Sequence, residues 1–246
     1  MKFKPILHRV ESCLSTNDLA RRLAGEGAPE GTAVVAGEQT AGRGTKGRSW
    51  YSARNKGLYV SVILRPRLPK ILLLPLVAGL GAREAIDNAH GLDVLLRWPN
   101  DLVWQGKKLG GILCESGFLG SEPDFAVLGI GININHQQDD FPPDIRALAT
   151  SIRIAAGKAG DPEALLPKLL ESLANWYDVF CRGERRAIIG SFEAHSALHR
   201  GGGIQVLVDE RLFSGIYQGL DPDGSLLFED QTGCHRFHSA EVIKIL

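Results

Sequence analysis

Apolar positions along this chain alternate between two rhythms. The runs at 32–37 and 57–65 are compact and β-branched, which predicts buried strands. Residues 94–98, 103–104, 107–115 and 125–135 read the same way, with a turn at Gln105-Gly106 between two of them. Helical spacing appears at 19–24, where Ser15, Thr16 or Asn17 can cap the start and Gly25 or Gly27 the end. It returns at 72–90, at 162–180 with Asp161 as N-cap and Pro162 in the first turn, and at 184–195. Residues 141–150 contain prolines and follow neither rhythm.

The character changes after His199-Arg200-Gly201-Gly202-Gly203. Five short strands are expected at 204–208, 211–220, 225–228, 234–238 and 242–246, separated by turns such as Asp221-Pro222-Asp223-Gly224. That density of short strands predicts a small SH3-like β-barrel. The expected organisation is therefore an α+β domain over 1–197 and a barrel over 198–246. In the first part strand follows strand without regular βαβ alternation, so its sheet should be largely antiparallel or mixed.

Composition narrows the function classes. A chain of 246 residues with 44% hydrophobic content is ordinary for a soluble globular protein. The formal net charge of zero gives no support for a nucleic-acid or membrane-surface partner. Cys13, Cys114, Cys181 and Cys234 are scattered without a CxxC pair, which predicts free thiols in a reducing cytoplasm. The amino-terminal residues have no signal-peptide pattern, and the most apolar run, 71–80, falls well short of a membrane span.

The candidate chemistry starts in the loop Gln39 to Trp50, between two expected strands. Gly42, Gly44 and Gly47 are interleaved with Arg43, Lys46 and Arg48. Glycines that admit positive φ and close backbone approach, beside fixed cations, suit a polyanion such as a nucleotide triphosphate. The bland alternative is a solvated basic loop; the phosphate-loop spacing Gly-x-x-x-x-Gly-Lys-[Ser/Thr] is absent. Asn100, Asp101 and Lys108 sit on adjacent elements joined by a short turn, so they can face one pocket. There Asp101 is able to bind metal, orient a partner or accept a proton, and Lys108 to stabilise charge on a carboxylate and a phosphate together. One of Lys107 and Lys108 must point away. Gly110, Gly111, Gly129 and Gly131 would strip side chains from the pocket floor, with Asn133 at the end of its strand facing phosphate or metal. Against these stand the structural readings: an Asn-Asp turn, an exposed lysine and tight sheet packing. Cys234-His235 and His238 lack a second ligand pair and predict barrel surface rather than a metal site.

Taken together, these segments resemble the biotin–protein ligases. The matching pieces are Ser15-Thr16-Asn17, the loop from Gln39 to Trp50, Arg97-Trp98-Pro99-Asn100-Asp101-Leu102, Lys108-Leu109-Gly110-Gly111-Ile112-Leu113 with Glu115, and Gly129-Ile130-Gly131-Ile132-Asn133. They occur in the family's order and spacing, over nearly the whole chain. The resemblance implies a fold related to class II aminoacyl-tRNA synthetases and a two-step reaction. Biotin's carboxylate attacks the α-phosphate of MgATP, giving biotinyl-adenylate and pyrophosphate. A lysine of a biotin carboxyl carrier domain then takes the biotinyl group and AMP leaves. By the same resemblance Ser15, Thr16 and Gln39, with Asn17, would hold biotin's ureido head. Gly111 and Gly129, flanked by Ile112 and Ile130, would let its rings approach the backbone. Arg43, with Gly42, Gly44, Arg48 and Trp50, would close over the adenylate, and Lys108 would contact both carboxylate and α-phosphate. Asn100 and Asp101 would serve nucleotide, metal or incoming lysine, and Asn133 the metal and phosphates. Arg43, Asp101 and Lys108 are the expected catalytic residues.

Two departures from the family pattern matter. The usual loop is Gly-Arg-Gly-Arg-x-Gly-Arg, and Thr45 stands at the second arginine, which predicts a leakier intermediate. Some members also carry an amino-terminal DNA-binding helix-turn-helix. Here the match begins almost at Met1, so no repressor role is expected. The rival readings are a lipoate or octanoate ligase of the same superfamily and a non-catalytic biotin-binding module. An exposed sheet edge would allow a homodimer.

Overall fold

The computed structural model describes residues 2–66, 71–119 and 122–246. Its elements run β1 (Ile6–Cys13), α1 (Thr16–Gly25), β2 (Thr32–Gln39), β3 (Gly57–Leu64), α2 (Leu74–His90), β4 (Leu95–Arg97), β5 (Asp101–Trp104), β6 (Lys107–Leu119) and β7 (Glu122–Asn133). There follow α3 (Ile152–Ala156), α4 (Pro162–Cys181), α5 (Arg185–Ala194), and then β8 (Gly203–Val208), β9 (Arg211–Leu220), β10 (Leu226–Asp230), β11 (Gly233–Phe237) and β12 (Glu241–Ile245).

The first seven strands form one mixed sheet in the order β1-β2-β3-β7-β6-β5-β4. Only β1 and β2 are parallel; the other neighbours are antiparallel. Strand alternation divides the sheet into two faces. Val60, Val62, Leu128, Ile130, Ile132 and Ile112 point to one face, where α2, α4 and α5 cover them in a continuous apolar core. The opposite face carries Ile63, Val127 and Val34, packed under Ala20 and Ala24 of α1. Helix α1 covers only part of that face, and the rest, along Gly129, Gly131 and Gly111, is left for the site. Close approach of α2 to α4 depends on Gly81, where a Cβ would lie 3.0 Å from the Leu173 backbone.

The last five strands make a second, antiparallel sheet in the order β11-β10-β9-β8-β12. It is fastened to the first part by the Trp98 indole, which donates to the Gly224 carbonyl at 2.9 Å. Ile204, Val206, Tyr217 and Phe228 join the main apolar cluster.

Strand β1 was not among the expected elements. It is the outer strand of the sheet, and six of its eight residues are exposed. A strand with solvent on both faces has no alternation to read. Helix α3, five residues capped by Ser151, was equally hidden in length and composition. The expected helix at 72–90 begins as a 3₁₀ turn at Ile71–Leu73 before α2 proper. No helix of the described residues is long and apolar enough to cross a membrane, and all four cysteines are free.

Candidate functional site

A cavity of about 510 Å³ lies on the α1 side of the sheet. Its walls are the start of α1, the 43–51 loop, residues 97–101, the 141–149 segment and residues 239–243 from the second sheet. Ser15, Thr16, Asn17, Gln39, Arg43, Gly44, Arg48, Trp50, Asn100, Asp101, Lys108, Gly111, Ile112, Gly129, Ile130 and Asn133 all border it. Gly42 does not; it sits behind the loop.

At one end lies a neutral hydrogen-bonding network. Gln39 Oε1 accepts from the Thr16 backbone N–H at 2.8 Å and from the Thr16 hydroxyl at 3.0 Å. Gln39 Nε2 donates to Ser52 Oγ at 2.8 Å, which leaves one amide hydrogen free. Ser61, fully buried on β3, donates to Asn17 Oδ1 at 2.6 Å and lies 2.7 Å from Thr16 Oγ1. Ser15 occupies the N-cap position without making the cap bond, and it lines the cavity. These groups therefore do more than cap a helix: spare donors and acceptors converge on one spot, suited to a neutral polar head.

The glycines of the floor act differently from the expectation. A Cβ at Gly129 would lie 2.2 Å from Asn17 Oδ1, and one at Gly131 would lie 2.5 Å from Trp50 Nε1. Gly111 faces Trp50 and the Lys108 stem, at 3.1 Å and 3.2 Å. They make room for Asn17 and Trp50, so a ligand meets an indole wall as well as backbone. Ile112 and Ile130 turn their side chains into the core, because each neighbours a floor glycine on an alternating strand. Gly42 serves the loop itself: a Cβ there would meet the Trp50 carbonyl at 2.5 Å. Positive φ falls on Lys46 and Gly47, at the tip of a small hairpin closed by Gly44 N–H to Arg48 O and Trp50 N–H to Gly42 O.

The cationic end depends on an irregularity. Asp101 pairs with Gly111 and Leu102 with Gly110, but Val103 pairs with Lys108. One extra residue on β6 flips the alternation, so Leu109 is buried in the core and Lys108 shares a face with Gly111. Lys108 Nζ lies 2.5 Å from Asp101 Oδ1 and 5.5 Å from the Trp50 ring centre. Arg97 holds the other oxygen of Asp101 at 2.7 Å. Lys107 is exposed and outside the cavity. Asn100 is bound to Ile112 in both directions, through its Nδ2 to the Ile112 carbonyl and through its own carbonyl to the Ile112 N–H. That clamp across to β6 is a structural role, and a different one from the Asn-Asp turn weighed for it. Asn133 Nδ2 donates to the Thr150 carbonyl at 3.0 Å.

Arg43 is held by two acids. It makes a two-pronged pair with Glu115, at 3.0 and 2.7 Å, and reaches Asp18 at 2.7 Å. These carboxylates raise its pKa above the ordinary guanidinium value even though burial opposes them. Arg48 pairs with Glu241 of β12, tying the loop to the second sheet. Ser61, Ser52 and the bridging role of Glu115 could not be read from spacing, since each depends on strand register. Among the described residues, Cys234 and His235 included, no three or more His, Cys, Asp or Glu side chains are grouped so as to hold a metal ion.

Behind the 141–149 wall, His136 is fully buried, stacked on Phe141 at 4.9 Å, with neither ring nitrogen hydrogen-bonded. Burial pushes its pKa down to about 4; Asp140 opposes the shift and Lys56 adds to it. The unfolded chain therefore takes up a proton below pH 6.5 that the folded chain refuses until about pH 4. Stability from this group is complete above pH 6.5 and falls by about 3 kcal/mol as pH drops to 4. Urea midpoints at pH 7 and pH 4.5 should differ less in His136→Phe than in the parent. An equal drop in both would exclude the imidazole as the cause.

Residues 10–133 match the model of the biotin/lipoate A/B protein ligase family. The chain is 36% identical to the bifunctional ligase/repressor BirA of Bacillus subtilis, over 96% of this chain and 73% of that protein. It is 30% identical to the biotin–[acetyl-CoA-carboxylase] ligase of Paracoccus denitrificans, over 93% and 96% of the two chains. The solved biotin protein ligase from Aquifex aeolicus in complex with biotin and ATP superposes with a TM-score of 0.85, at 31% identity, covering 98% of this chain and 100% of that one. A chain matched in this way along both its sequence and its fold belongs to the biotin/lipoate A/B protein ligase family, among its biotin protein ligases.

Proposed function

We propose that this cavity performs both steps of biotin transfer: adenylation of biotin by MgATP, then delivery to a lysine of a biotin carboxyl carrier domain. The observation that carries the assignment of roles is the placement of Lys108 on the glycine-lined face, at the opposite end from the neutral groups of α1. Ser15, Thr16, Asn17 and Gln39 bind the ureido head through their remaining donors and acceptors. The ring system lies against Trp50 and the Gly111–Gly131 backbone. Lys108 then meets the carboxylate where it attacks the α-phosphorus, and its charge offsets what accumulates there. Asp101, between Arg97 and Lys108, fixes the ammonium in place. Where magnesium accompanies the phosphates, Asn133 would face it through Oδ1, which has no partner among the described residues.

Arg43 and the hairpin around it cover the adenylate against water. Thr45 stands where the family pattern has an arginine, and its hydroxyl and carbonyl are engaged by Arg48. A Thr45→Arg variant should release biotinyl-adenylate about tenfold more slowly in the absence of acceptor, the worth of one charge-assisted hydrogen bond to phosphate. Unchanged release would count against a leakier intermediate in the parent.

The division of the chain into 1–197 and 198–246, the SH3-like character of the second sheet and a cytoplasmic setting belong to this same reading. Four free thiols are consistent with the last. The deciding experiment incubates the protein with biotin, MgATP and a biotin carboxyl carrier domain, and weighs the carrier by mass spectrometry. One added biotin on one lysine supports the assignment. Transfer of lipoate or octanoate to its own carrier instead would move it to the sister activity. Biotin binding with no transfer would leave a binding module.

A further inference from the structure

Directly paired residues of neighbouring strands share a face, so one row crosses the sheet on the side of the site. It runs through Gly131 of β7, Gly111 of β6, Asp101 of β5 and Arg97 of β4. Beyond the glycine floor the row therefore ends in a carboxylate and a guanidinium. Strand β4 has only three residues, yet it is held on both edges. One edge pairs with β5. On the other, the Leu96 N–H donates to the His195 carbonyl and the Leu96 carbonyl accepts from the Ala197 N–H, each at 2.8 Å. Leu96 and Trp98, on either side of Arg97, are buried. The backbone that carries the guanidinium is thus anchored.

Arg97 Nη2 donates to Asp101 Oδ2 at 2.7 Å, and Lys108 Nζ lies 2.5 Å from Oδ1. Among the described residues Asp101 is the only ion-pair partner of either cation. A carboxylate paired with Lys108 alone would cancel the charge on which adenylation draws. Shared between two cations, it leaves the group of three with one net positive charge. The Arg97, Asp101 and Lys108 side chains are 25%, 15% and 33% exposed, so water screens that charge only in part. We infer that Arg97 is a positioning residue that acts through Asp101: it occupies the second carboxylate oxygen, aims the first at Lys108 and keeps the Lys108 charge available to the reacting oxygens. Arg97 also borders the cavity, so direct contact with a phosphate is the competing arrangement. The inference rests on the role proposed for Lys108 in adenylation.

The test is the single-turnover rate of pyrophosphate release, measured across biotin and MgATP concentrations so that maximal rate and half-saturation separate. Arg97→Met should lower the maximal rate by about ten- to a hundredfold, the worth of a charge-assisted hydrogen bond. Half-saturating biotin and MgATP should stay within about threefold of the parent. Arg97→Lys should recover most of the rate, because Arg97 offers Asp101 a single prong that an ammonium can replace. In an Asp101→Asn background, Arg97→Met should add less than about threefold, since the group it acts through is gone. An unchanged maximal rate in Arg97→Met overturns the inference. So does a rise in half-saturating MgATP at constant maximal rate, or an undiminished loss in the Asp101→Asn background; either would place Arg97 on the nucleotide. Should Arg97→Met fail to fold, Arg97→Gln, which lacks the charge but keeps a neutral donor, takes its place in the same cycle. A parent that releases no pyrophosphate refutes adenylation itself, which these readouts separate from a failure of the Arg97 role.

Discussion

Lys108→Ala should slow formation of the biotinyl-adenylate by a hundred- to a thousandfold. The size follows from what the ammonium does. The attacking carboxylate and the α-phosphate both carry negative charge, and their approach concentrates it where Lys108 is held by Asp101. Removing one preorganised charge from such a site costs about 3–4 kcal/mol of transition-state stabilisation. Ground-state binding of biotin relies on the other end of the cavity, so its affinity should change far less than the rate. Pyrophosphate release without acceptor reads the first step directly. Lys108→Arg should recover only part of the loss, because a planar guanidinium cannot replace a point charge between two oxyanions. An alanine variant that forms adenylate at the parent rate would remove Lys108 from the chemistry. Lys107→Ala, exposed and outside the cavity, should leave the rate unchanged.

Gly129→Ala has the second largest effect, and it acts on binding. The new methyl would stand 2.2 Å from Asn17 Oδ1 and 2.9 Å from its Cγ. Asn17 must move by more than an ångström, and that breaks its bonds to Ser61 and Glu115. Overpacking and an abandoned buried amide together amount to about 2–4 kcal/mol. Biotin affinity should fall between about thirtyfold and a thousandfold, with kcat at saturation reduced less. Gly190→Ala is the control. That glycine is in α5 with nothing within 4 Å of a new Cβ, so stability should rise by about 0.5–1 kcal/mol and binding should not change. Equal biotin affinity in Gly129→Ala and the parent would mean that Asn17 does not build the pocket.

The main sheet and the four longer helices were legible because burial leaves a periodic mark on sequence, and the five late strands, of which β11 and β12 are mostly exposed, through the turns between them. What escaped was whatever lacks burial or breaks the period. Strand β1 is exposed on both faces, and α3 is too short to repeat. The site was legible as a set of residue types and illegible as geometry. Simple alternation from Gly111 would place Lys107 on the site face and Lys108 in the core. The extra residue opposite Leu102 and Val103 reverses that, and nothing in Lys-Lys-Leu-Gly-Gly announces it. The floor glycines were visible, but not that Asn17 and Trp50 occupy their space. Ser61 and Glu115 join the site only through the register of β3, β6 and β7.

The wall at 239–243 has a consequence for how the protein is made. Arg48 and its partner Glu241 are separated by 193 positions along the chain. At roughly 5–20 residues added per second, a ribosome needs roughly 10–40 s to go from one to the other. During that interval the emerging chain can pair its central strands and present the neutral pocket to solvent, with one side of the cavity missing. Adenylate formed then would be open to hydrolysis, a drain on ATP. Because the hairpin is tethered to β12, this wall of the cavity can close only after Glu241 has been made.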